Sequence, residues 1–256
     1  MTPRVNDLVS TTAVGRARLV VWDRQARRNA WTRETIEAIA DAIEEAGADE
    51  AVRCIVVRGA GENFSAGDDL HAALAASADD WAATIAAFQR VTRVTFAAPI
   101  PVLAAIDGVC IGGALEFACS CDLRIATERA RFATPEVGIG LVATNAGTLL
   151  LPEVLGETAA RELLLTGALR DAAWARENRF VAEVVAPDEL DGRVAEWAAR
   201  FDGVSRVAVA RTKALLNARL GDLVAAAMDR EERACIELFA GPDAPAALRA
   251  FAQRRR

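Results

Sequence analysis

The sequence predicts an α/β fold whose C-terminal part is helical. Two patterns carry that prediction. Apolar runs of strand length alternate with helical spacing through the first half, and helical patterns dominate after Asn145. Composition agrees: 53% of the 256 residues are hydrophobic and 26% charged, which suits one large globular domain or a main domain with a small helical appendage.

The elements follow in order. "RARLVVWD" at 16–23 reads as a strand. In "TRETIEAIADAIEEAGA", Ile36, Ile39 and Ile43 recur at helical spacing and Thr32 suits an N-cap. "VRCIVVRG" at 52–59 is a continuous apolar run, as a buried parallel strand would be. "AGENFSAGDDL" has loop composition, and a helix is expected over 78–95. "APIPVLAAIDG" is a second buried strand that turns at Asp107–Gly108. A helix starts near Gly112, a strand near Leu123, and the short strand "ARFA" precedes Pro135. This alternation argues a right-handed βαβ stack. Helices are then expected over 147–155, 157–166, 172–178, 187–200, 206–216 and 223–238, broken by one strand, "FVAEVV", at 180–185. The expected division is an α/β core over 1–195 and a helical region over 196–256.

The net charge of −6 speaks against a binder of nucleic-acid backbones. The "QRRR" at the C-terminus reads as a solvated basic tail. Five cysteines, Cys54, Cys110, Cys119, Cys121 and Cys235, lack metal-ligand spacing and read as buried, reduced thiols of a cytoplasmic protein. No signal pattern and no apolar run of membrane-spanning length is present, so no membrane role is expected. Lys213 is the only lysine and tyrosine is absent, which we read as codon bias.

Two places suit chemistry. In "NFSAGDDL", Gly67 permits a backbone conformation that other residues avoid and a close approach of ligand to main chain. In "IDGVCIGGALE", Gly112 and Gly113 open a helix, where free N–H groups point outward. Two donors from two loops could form an oxyanion hole, although each turn taken singly is as well explained as an ordinary tight turn. Glu116 lies in the first turn of that helix, where the dipole alone could account for it. Glu136 follows Pro135 and could be a solvated loop carboxylate. Near an oxyanion hole the pair could divide acid and base work, but spacing does not show that they meet. His71 is the only histidine, and no GxSxG, P-loop or GxGxxG is present. Adjacent Asp68 and Asp69, without further spaced ligands, read as loop-capping residues and not as a metal site.

Longer stretches carry a resemblance. "RRNAWT", "NFSAGDDL", "PVLAAIDGVCIGGALEFACSCDLRIATERARFATPEVGIGL", "LLTGAL" and "SRVAVARTKALLN" resemble the enoyl-CoA hydratase/isomerase (crotonase) superfamily, in its order and over nearly the whole chain. The resemblance implies a spiral of ββα units forming two sheets, followed by a helical trimerisation region. It implies a homotrimer or a dimer of trimers, an acyl-CoA thioester as substrate, and no further cofactor. The backbone N–H groups of Asp68 and Gly113 would hold the thioester oxygen. CoA would lie along Arg28, Ala30 and the loop of Ala66, Asp69, Leu70 and His71. Glu116 would activate water and Glu136 would protonate C2, as in a hydratase of trans-2-enoyl-CoA. A double-bond isomerase, or an acyl-CoA-binding subunit with little catalysis, are the alternatives. Departures from the family pattern are "GLVATNAGTLLLP" at 140–152, Asp68 where a small or apolar residue is usual, and His71 where lysine is common.

Overall fold

The computed structural model describes residues 8–253. Residues 1–7 and the arginines of the basic tail at 254–256 lie outside the described residues. The strands are β1 (Val9–Val14), β2 (Ala17–Trp22), β3 (Cys54–Gly59), β4 (Val102–Ile106), β5 (Val109–Ile111), β6 (Leu123–Thr127), β7 (Arg131–Ala133), β8 (Arg170–Asp171) and β9 (Glu183–Val185). The helices are α1 (Arg33–Ala48), α2 (Leu70–Ala75), α3 (Ala78–Ala97), α4 (Gly113–Ser120), α5 (Gly147–Leu155), α6 (Glu157–Thr166), α7 (Ala172–Glu177), α8 (Leu190–Ala199), α9 (Arg206–Ala218), α10 (Gly221–Ala240) and α11 (Asp243–Gln253).

The strands form two sheets. One has six strands in the order β1-β2-β3-β4-β6-β9, the other three in the order β5-β7-β8. The plain stack read from periodicity is therefore corrected to a pair of sheets, as the family resemblance implied. The split occurs at Asp107–Gly108. Gly108 takes φ +55°, and a side-chain carbon there would meet the Glu62 carbonyl at 2.1 Å. That turn sends β4 into the large sheet and β5 into the small one.

Within the large sheet only β1–β2 is antiparallel. The central strands are buried on both faces, which explains their unbroken apolar runs. Ile55, Val57, Ala104 and Ile106 face a core that includes Ile36, Ile39 and Ile43 of α1. Cys54, Val56, Leu103 and Ala105 face a second core under Leu190, Val194 and Ala198 of α8. Thr32 caps α1 as expected, accepting from the Thr35 N–H. All five cysteines are buried and free.

Several elements depart from expectation. The strand read over 180–185 is confined to its last three residues, because Phe180 is drawn back by its N–H bond to Ala175 O (2.8 Å). The loop reading ends at Leu70, where Asp69 caps α2 by accepting from His71 N–H. Strand β1 and helix α11 were not anticipated.

Candidate active site

Four segments converge on one cavity. They are the loop after β3, the turn from β5 into α4, the short 3₁₀ turn Pro135–Ile139 after β7, and the segment before α5. Helix α3 walls it with Trp81, Ile85 and Phe88, and α10 closes it with Cys235. The Trp81 ring stacks on Phe239 at 4.9 Å, which ties α3 to α10.

The loop after β3 is anchored by a polar knot that sequence reading missed. Asn29 is fully buried at φ +55°; its Nδ2 donates to Ala60 O (2.8 Å) and Asn63 O (2.6 Å), and its Oδ1 accepts from Arg24 N–H (2.9 Å). Under the loop, Trp22 packs edge-on to Trp31 and Phe64, and its Nε1 donates to Phe64 O (2.7 Å). Gly67 sits at φ +82°, where a side-chain carbon would lie 2.6 Å from Ile111 O. Its carbonyl accepts from Trp31 N–H and Trp31 O accepts from Asp69 N–H. The Asp68 N–H between them donates to no backbone carbonyl. The Gly113 N–H, first in α4, is likewise unpaired with backbone. Both residues line the cavity.

Glu116 and Glu136 both line it as well. Glu116 is 1% exposed, and its Oε2 accepts from Thr144 N–H (3.1 Å) and Asn145 N–H (2.8 Å). Glu136 has its Oε2 sealed without a partner. Glycines make room for each. A side-chain carbon at Gly147 would meet Glu116 Oε2 at 2.7 Å, and one at Gly112 would meet Glu136 Oε1 at 2.9 Å. Gly112 is also the N-cap of the helix that carries Glu116, so the two carboxyls flank one helix start.

Burial raises the proton affinity of both. It pushes Glu136 up to about 7. Glu116 rises well above the usual carboxylate range through burial, with the charges of Glu136 and Glu231 adding to it. Two such groups titrate as a unit, and the second proton leaves against the charge of the first. Geometry sorts them. Glu116 accepts two N–H bonds, which favour its ionised form, whereas Glu136 Oε2 meets no donor and suits the protonated role.

Glu231 of α10 is a further buried carboxyl, also missed from sequence. It accepts from the Thr148 N–H (2.7 Å) and hydroxyl at the start of α5, whose N-cap Ala146 has no capping side chain. The segment before α5 is thus gripped by Glu116 from one side and Glu231 from the other.

The other sequence-predicted residues fall in two groups. Ala66 and Leu70 line the cavity. Arg28, Ala30, Asp69 and His71 do not. Arg28 and His71 are exposed, Ala30 is buried, and Asp69 is committed to an ion pair with Arg24 (2.9 Å) and to its cap. Thr144 lines the cavity, but the Asn145 side chain lies fully buried outside its lining with both polar atoms unpaired. Among the described residues no helix is long and apolar enough to cross a membrane.

The profile of the enoyl-CoA hydratase/isomerase family matches residues 18–256. The chain belongs to this family. It is 34% identical over 235 residues to a crotonyl-CoA hydratase of Syntrophomonas wolfei, covering 91% of this chain and 90% of that one. It is 31% identical over 243 residues to a short-chain-enoyl-CoA hydratase of Clostridium acetobutylicum, covering 94% and 93%. An enoyl-CoA hydratase/isomerase from Xanthobacter autotrophicus superposes with a TM-score of 0.87 at 31% identity, covering 97% of each chain. Membership of the crotonase family brings with it an enzymatic reaction on an acyl-CoA thioester.

The buried acids of this crotonase make its stability depend on pH. Glu136 and Asp68 are each pushed up to about 7, chiefly by burial, from 4.5 and 3.8. Between the ordinary values and 7 the folded protein holds protons that the unfolded chain has released. Stability therefore falls as pH rises through that window and levels off above it. Melting of the ligand-free protein is expected at lower temperature at about pH 8 than at about pH 5.5, and Glu136→Gln should flatten the difference. Equal slopes in wild type and variant would show that Glu136 titrates normally.

Proposed function

We propose that this crotonase is an enoyl-CoA hydratase that adds water to a trans-2-enoyl-CoA and yields a 3-hydroxyacyl-CoA. The observation that carries the reading is the pair of carboxyls, buried Glu116 and half-buried Glu136, lining one apolar-walled cavity with two N–H groups that donate to no backbone carbonyl. The Asp68 and Gly113 N–H groups donate to the thioester oxygen. They stabilise the charge that develops there once the double-bond electrons move toward it. Ionised Glu116 takes a proton from water as the water oxygen bonds to C3. Protonated Glu136 gives its proton to C2 as the enolate collapses. One water is consumed, and the two carboxyls end with their protons exchanged. No further cofactor is required.

Names of relatives support this reading, since two of them are hydratases by name. A second reading, double-bond isomerisation, needs one carboxyl to carry a proton between carbons. The departure from the family pattern over 142–145, with Val142 and Thr144 lining the cavity, favours it. The Ala66–Leu70 loop would seat the CoA side of the substrate, with Arg28 and His71 at its exposed margin. We also read residues 196–256 as a region that closes the pocket and joins subunits into trimers. Exposed Val207, Leu215 and Leu216 on α9 support that assembly.

Loss of the conjugated enoyl-thioester absorbance with crotonyl-CoA tests the proposal. The purified protein is expected to consume crotonyl-CoA and to form 3-hydroxybutyryl-CoA. Inertness toward crotonyl-CoA, together with conversion of a 3-enoyl-CoA to its 2-enoyl isomer, would replace the hydratase reading with the isomerase one.

A further inference from the structure

Between Thr144 and Thr148 the chain turns its N–H groups to two different carboxyls. Thr144 and Asn145 donate to Glu116 Oε2 (3.1 and 2.8 Å), and Thr148 donates to Glu231 Oε1 (2.7 Å). The switch falls at Ala146, which holds φ +60° without being glycine. L side chains avoid that region, and such a residue persists only where its surroundings over-determine it. Gly147 completes the fit, since a side-chain carbon there would press on Glu116 Oε2 at 2.7 Å.

The surroundings that fix this turn come from α3 and α10. Glu231 lies 83 residues beyond Thr148, is 5% exposed, and accepts from both the N–H and the hydroxyl of Thr148. A carboxylate is a strong acceptor for the free N–H groups of a helix start, and α5 has no capping side chain of its own. On the other side of the turn, buried Gln89 of α3 has its Nε2 within hydrogen-bond reach of Thr144 O and Met228 O (3.3 Å each). The two N–H groups that serve Glu116 are thus suspended between an anchor at Thr144 and an anchor at Thr148. Glu231 itself does not line the cavity.

We propose that Glu231 is a positioning residue for the base. By fixing Thr148 it fixes the Thr144 and Asn145 N–H groups, and through them the carboxylate of Glu116. The inference rests on the hydratase reading, in which Glu116 takes the proton from water. A residue that acts this way changes the orientation of the base and not the binding of the thioester, so its loss falls on kcat and spares KM.

Steady-state kinetics with crotonyl-CoA test this. Glu231→Ala is expected to lower kcat about ten- to hundredfold and to leave KM within about threefold. Glu231→Gln keeps an accepting oxygen at the same reach and should hold kcat within about threefold of wild type. Glu231→Asp keeps the charge but draws it back by one C–C bond, about 1.5 Å. It should lose kcat too, and it carries the test if the alanine variant fails to fold. On a Glu116→Gln background, Glu231→Ala should lower the residual rate less than about threefold, since the base it positions is gone. Lys213→Met, which disturbs a buried contact outside the cavity, is the control for general loosening and should keep kcat. Near wild-type kcat in both Glu231→Ala and Glu231→Asp overturns the assignment, as does an equal fall with and without Glu116 or an equal fall in Lys213→Met. Loss in Glu231→Gln with retention in Glu231→Asp would show that charge and not position matters, and overturns it as well. All of these leave the hydratase reading standing. A wild type inert toward crotonyl-CoA sinks that reading and this role with it.

Discussion

Glu116→Gln is expected to lower the rate of crotonyl-CoA hydration by about two to four orders of magnitude, the usual contribution of a positioned general base. The prediction depends on Glu116 alone having two backbone donors, from Thr144 and Asn145, on one carboxylate oxygen. Those bonds hold the ionised form that takes a proton from water. Glutamine has the same shape, and its amide oxygen accepts the same two N–H groups. The segment before α5 therefore keeps its place, and the melting temperature should change little. The control that isolates the chemistry is the other carboxyl. A reaction that moves a proton through Glu136 alone, such as conversion of a 3-enoyl to a 2-enoyl thioester, survives Glu116→Gln. If hydration persists at near wild-type rate in a folded Glu116→Gln protein, Glu116 is not the base and the division of roles proposed above is wrong.

Lys213→Met is expected to destabilise the protein by roughly 3 kcal/mol, at the lower end of what breaking a buried ion pair costs. The lone lysine is 6% exposed on α9, a helix with little other burial. Its Nζ donates to Thr95 O (3.0 Å) and Ile100 O (3.3 Å) and pairs with Asp122 Oδ2 (2.7 Å). The same Asp122 oxygen accepts from Val102 N–H at the start of β4 (2.7 Å). One ammonium thus links the end of α3, the entry to β4 and the end of α4 to the C-terminal helices. Methionine fills the space of the stem but leaves two carbonyls without the ammonium donor and Asp122 without its cation. Asp122 retains some contact with water, which is why the figure sits low in its range. Chemical denaturation of wild type and variant at neutral pH measures the difference. A change below about 1 kcal/mol would place this contact among the exposed ion pairs that contribute little.

The same residue marks how far sequence reasoning reaches. Lys213 stood out only as a compositional oddity, because nothing local says that it will be buried against carbonyls more than a hundred residues away. Asn29 and Glu231 escaped for the same reason. Asn29 is one letter in a polar stretch, and its partners Ala60 and Asn63 are remote in sequence. Glu231 looks like an exposed helical acid within "DREER" until the start of α5 docks on it. Helix α1 was legible because its apolar stripe and its Thr32 cap are both local. The central strands were legible because burial on both faces leaves an unbroken apolar run. Of the short second sheet only β7 was legible, as "ARFA"; β5 and β8, of three and two residues, carry too little pattern.

The sequence by itself determined the class of the protein, its central strands, its long helices, and the residue types available for acid–base work. Motif order over nearly the whole chain placed it in the crotonase family. Only the tertiary structure decided that Glu116 and Glu136 share a cavity, that Gly67 brings the Asp68 N–H to the turn that carries the Gly113 N–H, and that Asp69 is spent on Arg24 while Asp68 is not. The physical reason is range. Propensity, capping and periodicity act over a few residues, whereas a carboxyl's burial and a loop donor's freedom depend on what other parts of the chain pack against them.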